Sequence, residues 1–312
     1  MRIVSTLGLL LVSLAAVRAE CGKGVKCGEG SPCCREGWCD SKASFCMAGY
    51  CDPVHSFSPN SCWPRPACID QSYTFGGGGF APSPIRWTLA KSFNGDPNTA
   101  DWIREFEPDH TEVNPATGGM VLYMTRAPGE QKGFGATVSS TRWVEYGKVT
   151  ARLKSASHGK GPVSAFILKG SEGDEIDIAE IVGLERDRIQ TNFYYDGIED
   201  YTHMVRSPEL AHTDQAYYDY GVDWKPDSIT WLINGQPIRV LRKADTWDSK
   251  LKVFKFPSRP ARIQFSVWDG GNSGKEGTMK WAGTPTEWDK FARFEMEIAQ
   301  VSVECYYKGN ST

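Results

Sequence analysis

Short segments in which apolar and polar residues alternate recur between about residue 85 and residue 305. Clear examples are residues 119–124, 147–153, 228–233 and 262–268. Alternation with a period of two predicts β-strands that bury one face. Turn pairs such as Asn234-Gly235 and Pro226-Asp227 follow or precede these segments. Because helical periodicity is scarce here, the pattern predicts one large all-β sandwich of roughly 220 residues.

A different pattern opens the chain. Residues 3–14 are almost wholly apolar, Arg2 precedes them, and small residues surround Arg18. This arrangement predicts a secretory signal peptide over residues 1–19, with the mature chain starting near Glu20. Later segments are too short to reach the roughly 20 apolar residues that cross a bilayer. We therefore expect a secreted, extracellular protein without a membrane span in this chain.

The chain has ten cysteines, and most of them lie near its start. Their positions are Cys21, Cys27, Cys33, Cys34, Cys39, Cys46, Cys51, Cys62, Cys68 and Cys305. In a secreted chain, a cysteine-dense segment too small for its own core predicts a disulfide scaffold. A zinc module is the alternative, but the segment has no C-x-x-C pair and only His55 nearby. The spacing leaves the connectivity open.

These features divide the chain into four parts. We expect the signal peptide, a cysteine-rich module over residues 20–51, a connector over residues 52–84 that includes a flexible glycine run, and a β-domain over residues 85–312. A sequence for N-glycosylation, Asn310-Ser311-Thr312, stands at the end.

Charge and composition exclude some functions. The formal net charge is −3 and basic runs are absent, which argues against a nucleic-acid partner. The five histidines are scattered without metal-ligand spacing, so neither a metal site nor a cofactor is predicted. Aromatic residues make up 12% of the chain and suit either sugar stacking or a sandwich core.

Four carboxylates crowd into the seven residues from Asp174 to Glu180, with Ile176 and Ile178 between them. The isoleucines predict that one face of a strand is buried while like charges share the other face. Such crowding is costly unless the site uses it to separate the pKa values of its acids. Glycoside hydrolysis needs one ionised and one protonated carboxyl group, so the segment predicts a glycosidase site. A solvated edge strand is the alternative.

The spacing of these acids makes a structural demand. In a regular strand Glu175, Asp177 and Ala179 share one face, and Glu180 points to the other. One extra residue near Ile178-Ala179, a β-bulge, would return Glu180 to the side of Glu175. If the three acids act together, a bulge is required.

The pattern Glu-x-Asp-x-x-Glu resembles the signature of family 16 glycoside hydrolases, which fold as concanavalin-like β-jelly-roll sandwiches. Further segments resemble the fungal Crh-type cell-wall transglycosylases, the chitin–glucan crosslinking enzymes. They are residues 164–168, 173–177, 190–195, 223–231, 243–247, 264–268, 277–283 and 303–305.

This resemblance implies roles for individual residues. Glu175 would be the nucleophile, Glu180 the general acid/base, and Asp177 the residue that orients and tunes the pair. Substrate binding is expected from Gln264, Trp268, Thr278, Asn192 and Tyr195.

The cysteine module is similar to the hevein-like (CBM18-type) chitin-binding module. Trp38 and Phe45 match two aromatic positions that cup N-acetylglucosamine there. The first aromatic is missing and Arg35 replaces a serine. Chitin binding and a structural remnant both remain open.

The implied activity is that of a retaining transglycosylase, which cleaves chitin and passes the glycosyl group to β-glucan or chitin during fungal cell-wall assembly. Two departures keep an alternative open. The extra residue before Glu180 is commoner among family 16 endo-β-1,3(4)-glucanases, and a histidine usual near residues 217–220 is absent. A hydrolytic glucanase is therefore the first alternative, and a non-catalytic wall-binding lectin is the second.

Overall fold

The computed structural model describes residues 20–307. The predicted signal peptide and the predicted glycosylation sequence lie outside the described residues. The β-strands are β1 (Cys33–Arg35), β2 (Trp38–Asp40), β3 (Gln71–Thr74), β4 (Trp87–Leu89), β5 (Trp102–Phe106), β6 (Thr111–Val113), β7 (Met120–Met124), β8 (Thr137–Val144), β9 (Gly147–Lys154), β10 (Pro162–Gly170), β11 (Glu175–Val182), β12 (Gln190–Tyr194), β13 (Val205–Arg206), β14 (Tyr218–Lys225), β15 (Ser228–Ile233), β16 (Gln236–Arg242), β17 (Trp247–Asp248), β18 (Val253–Phe254), β19 (Ala261–Asp269) and β20 (Phe294–Cys305). Two short α-helices occur among the described residues, α1 (Ala43–Cys46) and α2 (Glu276–Ala282).

Two eight-stranded sheets form the body of the protein. The first sheet has the order β13-β12-β11-β10-β19-β8-β5-β4, and the second has the order β16-β15-β14-β9-β20-β7-β6 with β3 added beside β20. All of these pairs are antiparallel except β4 with β5. This architecture confirms the predicted all-β sandwich.

Apolar side chains from both sheets meet in one core. Strand β19 shows the alternation clearly, since Ile263, Phe265 and Val267 are buried whereas Gln264 and Trp268 are half-buried on the opposite side. The core also takes large aromatic residues from both sheets, and burying each contributes about 1.5–3 kcal/mol. These are Trp102, Trp224, Trp231, Tyr220, Phe166 and Phe294. We call the face of the first sheet that is turned away from this core the site face.

The ten cysteines form five disulfides, as the sequence predicts. The pairs are Cys21–Cys34, Cys27–Cys39, Cys33–Cys46, Cys51–Cys62 and Cys68–Cys305. The fourth pair extends the cysteine-rich unit beyond residue 51. We therefore call residues 20–62 the N-terminal module.

Part of the predicted connector belongs to the sandwich. Residues 71–74 form β3 and pair with β20. The glycine run is also packed: a Cβ on Gly76 would lie 2.1 Å from the Thr117 carbonyl oxygen. Gly76 to Gly79 all have positive φ, a conformation that favours glycine. These glycines permit close packing instead of forming the flexible run expected from the sequence.

Among residues 20–307, the helices are too short or too polar to span a membrane.

The Cys68–Cys305 bridge joins residues 237 positions apart, whereas Cys51–Cys62 joins residues 11 positions apart. In the chain-entropy view, the longer loop restricts the unfolded chain more. Replacing Cys68 and Cys305 by serine should lower the free energy of unfolding by about 2–5 kcal/mol, and by more than the same change at Cys51 and Cys62. Chemical denaturation of both variants measures this difference. Equal losses would contradict the loop-length explanation.

Candidate active site

The predicted bulge is present in β11. On one side, Ile167 pairs with Asp177 and Phe166 pairs with Ala179, so Ile178 is the extra residue. On the other side, Asp177 pairs with Asn192 and Glu180 with Gln190, so two residues of β11 oppose one of β12. This register confirms the irregularity expected near Ile178-Ala179.

The bulge separates apolar from acidic side chains. Ile176, Ile178 and Ala179 all belong to the sandwich core. Glu180 instead lines a cleft on the site face. Since an uninterrupted alternation would have buried Glu180, the extra residue is what returns this acid to the side of Asp177.

Asp174, the first of the four carboxylates, has a structural role. Its oxygens accept hydrogen bonds from the backbone N–H groups of Asp196 (3.0 Å), Ser258 (2.9 Å) and Arg259 (3.2 Å). A buried carboxylate that accepts several backbone hydrogen bonds is well stabilised. Asp174 therefore anchors the start of β11, and the three remaining acids form the candidate site.

The protonation of the two inner acids is shifted by their surroundings. Burial, and then the charge of Glu175, raises the pKa of Glu180 to about 8. Burial also raises the pKa of Asp177 well above its usual range, and the charges of Glu180 and Glu175 add to the effect. At neutral pH, Glu180 is therefore mainly protonated and can donate a proton.

Glu175 has a positive neighbour on the site face. Lys169 of β10 stands opposite Glu175 in the register, and its Nζ pairs with Glu175 Oε2. Asp177 lies on the other side, where its carboxyl group hydrogen-bonds to Glu175. Glu175 is thus held between a cation and a carboxyl group whose pKa is raised.

The second sheet supports the bulged strand from below. Trp231 of β15 donates from Nε1 to the backbone oxygen of Asp177 at 2.8 Å. The Arg239 guanidinium lies 4.3 Å from the centre of the Trp231 ring and donates to the Thr191 carbonyl oxygen at 2.8 Å. Burial lowers the pKa of Arg239 to about 10. Arg239 has no signal in the sequence, because β16 joins this site only through the packing of the two sheets.

A cleft of about 630 Å³ opens beside Glu180. Its lining includes Trp268, Thr278 and Asn192, which the resemblance implicates in substrate binding. Further lining residues are Gln190, Tyr194, Tyr201, Met204, Ser273, Lys275, Gly277 and Trp281. The Trp268 and Trp281 ring centres are 6.0 Å apart, and Trp281 Nε1 donates to Gln190 Oε1 at 2.6 Å. Aromatic surfaces combined with a few fixed polar groups are suited to binding sugars.

Two predicted binding residues lie elsewhere. Gln264 is on the site face but outside the described cleft lining, and its Nε2 donates to Ser139 Oγ at 3.0 Å. Tyr195 lies near Arg259, whose guanidinium is 5.7 Å from the Tyr195 ring centre. Tyr194 takes the position opposite Glu175 and lines the cleft. Strand alternation was the signal in the sequence that could have distinguished Tyr194 from Tyr195, because neighbouring residues of a strand face opposite sides.

Trp38 and Phe45 lie in the N-terminal module. Trp38 belongs to β2 and is 41% exposed. Phe45 belongs to α1 and is half-buried. Part of the Trp38 ring is therefore accessible from solvent.

Comparison with known proteins identifies the family. The family described as "Glycosyl hydrolases family 16" matches residues 98–286, which include the whole of β11. The chain belongs to glycosyl hydrolase family 16.

Similar proteins include several Crh-like proteins. "Crh-like protein 3" of Botryotinia fuckeliana is 35% identical over 97% of this chain and 65% of its own length. "Congo red hypersensitive protein 2" of Saccharomyces cerevisiae is 33% identical over 98% of this chain and 64% of its own length. The chain thus spans about 65% of the length of such relatives. These similarities confirm the resemblance to Crh-type proteins.

Solved structures confirm the fold. "Apo Crh5 transglycosylase" superposes with a TM-score of 0.62 and 22% identity, covering 80% of this chain and 89% of that chain. "Bacillus licheniformis beta-glucanase" superposes with a TM-score of 0.54 and 18% identity, covering 77% of this chain and 99% of that chain. The sandwich is therefore the jelly roll of family 16.

The pKa of Glu180 leads to a pH prediction. Below about pH 8 Glu180 is mainly protonated, and it loses this proton as the pH rises, so an activity that uses Glu180 as general acid should follow this titration. We expect kcat/KM to fall about tenfold per pH unit above that value. A substrate with a dinitrophenolate leaving group needs no proton from the enzyme. In Glu180→Ala, this substrate should therefore still form the glycosyl-enzyme, and kcat/KM should not fall at alkaline pH. An unchanged alkaline fall in Glu180→Ala would show that another group titrates.

Proposed function

We propose that this chain is a secreted, retaining cell-wall transglycosylase. It cleaves chitin, the β-1,4-linked polymer of N-acetylglucosamine, and transfers the glycosyl group to β-glucan or chitin. The observation that carries this proposal is the bulged β11, which brings protonated Glu180 to the face that holds Glu175 and Asp177. Retaining glycosidases require a carboxylate nucleophile and a proton donor on either side of one glycosidic bond.

The first chemical step breaks the donor. The Glu175 carboxylate attacks the anomeric carbon while Glu180 gives its proton to the glycosidic oxygen, so the leaving sugar departs as an alcohol. A glycosyl ester on Glu175 remains. Neutral Asp177 donates a hydrogen bond to Glu175 and orients its carboxylate. As the ester forms, Glu175 loses its negative charge, which lowers the cost of ionising Glu180.

The second step decides between transfer and hydrolysis. Ionised Glu180 takes a proton from an acceptor hydroxyl, whose oxygen attacks the anomeric carbon and releases Glu175. A sugar acceptor gives transfer, and water gives hydrolysis. Trp268, Trp281 and Tyr194 offer apolar faces in the cleft, on which an acceptor sugar can compete with water.

Comparisons support the donor class. Relatives named Crh-like proteins match nearly the whole chain. The solved structure "Crh5 transglycosylase in complex with NAG" is 23% identical and covers 80% of this chain. We therefore propose a donor built from N-acetylglucosamine. The acid pair of this chain supplies the means of cleavage, and the NAG complex of that protein suggests the sugar.

A hydrolytic endo-β-1,3(4)-glucanase is the second candidate. The spacing Glu175-x-Asp177-x-x-Glu180 favours it, because this bulged form is the one expected in such glucanases. The lectin alternative accounts less well for the raised pKa of Glu180, since a site for binding alone does not require a stored proton.

The deciding experiment is a transfer assay with a chitooligosaccharide donor and a fluorescently labelled β-1,3-glucan oligosaccharide as acceptor. We expect labelled hybrids longer than the acceptor. Glu175→Gln should lower their formation by more than about 10³-fold, because the amide cannot act as the nucleophile. Glu209→Gln, a change at an exposed ion pair outside the cleft, is the matched control and should leave the rate unchanged.

Three results would distinguish the candidates. Hydrolysis of laminarin, without movement of the label into products longer than the acceptor, would favour the glucanase. Binding of glycans without any bond cleavage would favour the lectin. Retention of more than about a tenth of the rate in Glu175→Gln would remove Glu175 as the nucleophile.

A separate measurement tests chitin binding by the N-terminal module, which we propose to involve Trp38. Trp38→Ala should weaken retention on insoluble chitin about tenfold, equivalent to about 1.4 kcal/mol of stacking. Phe57→Ala, at another exposed aromatic residue of the module, is the control. Equal retention of both variants and the parent protein would identify the module as structural.

A further inference from the structure

The site face of the first sheet is open at one side and covered at the other. A row of paired residues crosses the sheet from Asp177 through Ile167, Gln264 and Ser139 to Ile103 of β5. Ser139 and Ile103 at the end of this row are both 0% exposed, although they point away from the sandwich core. Another layer of protein must therefore cover β5 and β8.

The N-terminal module provides that layer. Ala43 and Met47 pack with Phe93 and Ile103 in a small apolar cluster, which Tyr50 borders. Apolar area buried in this way stabilises the docked position. The module is therefore seated on the site face itself.

A buried polar cluster joins the same two parts. Arg262 of β19 is only 5% exposed, and its Nη2 contacts Glu105 Oε1 at 2.6 Å and donates to Tyr50 Oη at 2.7 Å. The Arg35 guanidinium lies 4.4 Å from the centre of the Tyr50 ring. A buried guanidinium requires such partners, and the module supplies one of them, Tyr50.

The backbone of the module also approaches the sheet closely. Gly49 has a φ of +88°, and a Cβ there would lie 2.3 Å from Ser171 Cβ and 2.7 Å from the Trp143 ring. Just beyond the module, Arg65 forms an ion pair with Glu172 at 2.6 Å. The contact therefore accommodates glycine at position 49, and any larger residue there would displace Ser171 or Trp143.

The open cleft extends over β11 and β12 and reaches Trp268 of β19, so its lining stops short of β8 and β5. Its described lining comes from β11, β12, β19, α2 and the segments around Tyr201 and Ser273, and contains no residue of the N-terminal module. A glycan lying across the strands has free surface towards β12. Towards β5 it meets Arg262, Trp143 and the module.

We propose that the N-terminal module is a fixed end wall of the glycan cleft, which limits how many sugar units bind on the β8–β5 side. The inference rests on the proposed function, because it concerns how that function selects chain length. A tethered binding module would act by raising the local concentration of enzyme on a polymer. A docked wall instead limits the length of glycan for which each added sugar unit still increases kcat/KM.

The test uses the full secreted protein and two variants that undock the module. Gly49→Ala places a methyl group against Ser171 and Trp143. Met47→Glu places a charge in the apolar cluster. The matched controls are Gly24→Ala, at a φ of +87° with no atom within 4 Å of the added Cβ, and Val54→Glu, at a residue that is 66% exposed.

Hydroxyl-radical footprinting of Trp143, which is 6% exposed, reports undocking independently of activity. Two kinetic series then vary one partner at a time, with chitooligosaccharide donors and β-1,3-glucan acceptors of increasing length. In the parent protein and the controls, kcat/KM should reach a plateau with length in both series. In the undocked variants, one series should keep rising by at least about threefold for further sugars, because that side of the cleft is no longer closed.

Each outcome has one meaning. Exposed Trp143 with unchanged length profiles in both variants would overturn the end wall. Protected Trp143 in both variants would show that these contacts do not hold the module, and would overturn it as well. A parent protein that neither transfers nor cleaves any glycan would refute the proposed function, while footprinting would still measure the docking.

Discussion

The candidate site depends on one extra residue in β11. Without Ile178 as a bulge, the side-chain alternation would place Glu180 in the sandwich core and leave Asp177 as the only other acid of the three on the side of Glu175. With the bulge, Ile178 and Ala179 both fill the core, and Glu180 stands half-buried in the wall of the cleft, near Glu175. The same burial that makes this arrangement costly keeps the proton on Glu180, so local backbone geometry is linked directly to acid catalysis.

Such a bulge needs support, because it interrupts the hydrogen-bond ladder beside three acids. The second sheet supplies it through Trp231, which binds the Asp177 carbonyl oxygen, and Arg239, which lies on Trp231 and holds Thr191 of the neighbouring strand. Asp174 fixes the start of the strand through backbone N–H groups. Sheet packing and catalytic geometry are therefore parts of one structure, and the jelly roll acts as the rigid scaffold that holds the acids in place.

The disulfide module changes how the cleft is understood. In isolation, its cysteine spacing and Trp38 indicate a small sugar-binding unit. In the structure, Met47, Gly49 and Tyr50 attach it to the site face, with buried Arg262 between the two parts. Sugar stacking on Trp38, which is 41% exposed, and closure of the cleft through Met47, Gly49 and Tyr50 are compatible, because they use different residues of the same unit. The N-terminal module and the β-sandwich then together form the surface that contacts the substrate.

Features that depend on local pattern could be predicted from the sequence. Alternation predicted the sandwich, the cysteine density predicted the disulfides, and the count from Glu175 to Glu180 required a bulge. The resemblance also implicated Trp268, Thr278 and Asn192, which meet in one cleft. The packing of distant segments was needed to show that Arg239 supports the site from the other sheet and that the N-terminal module covers β5. These features arise from contacts between residues far apart in the chain, and local periodicity carries no information about which distant surfaces come together.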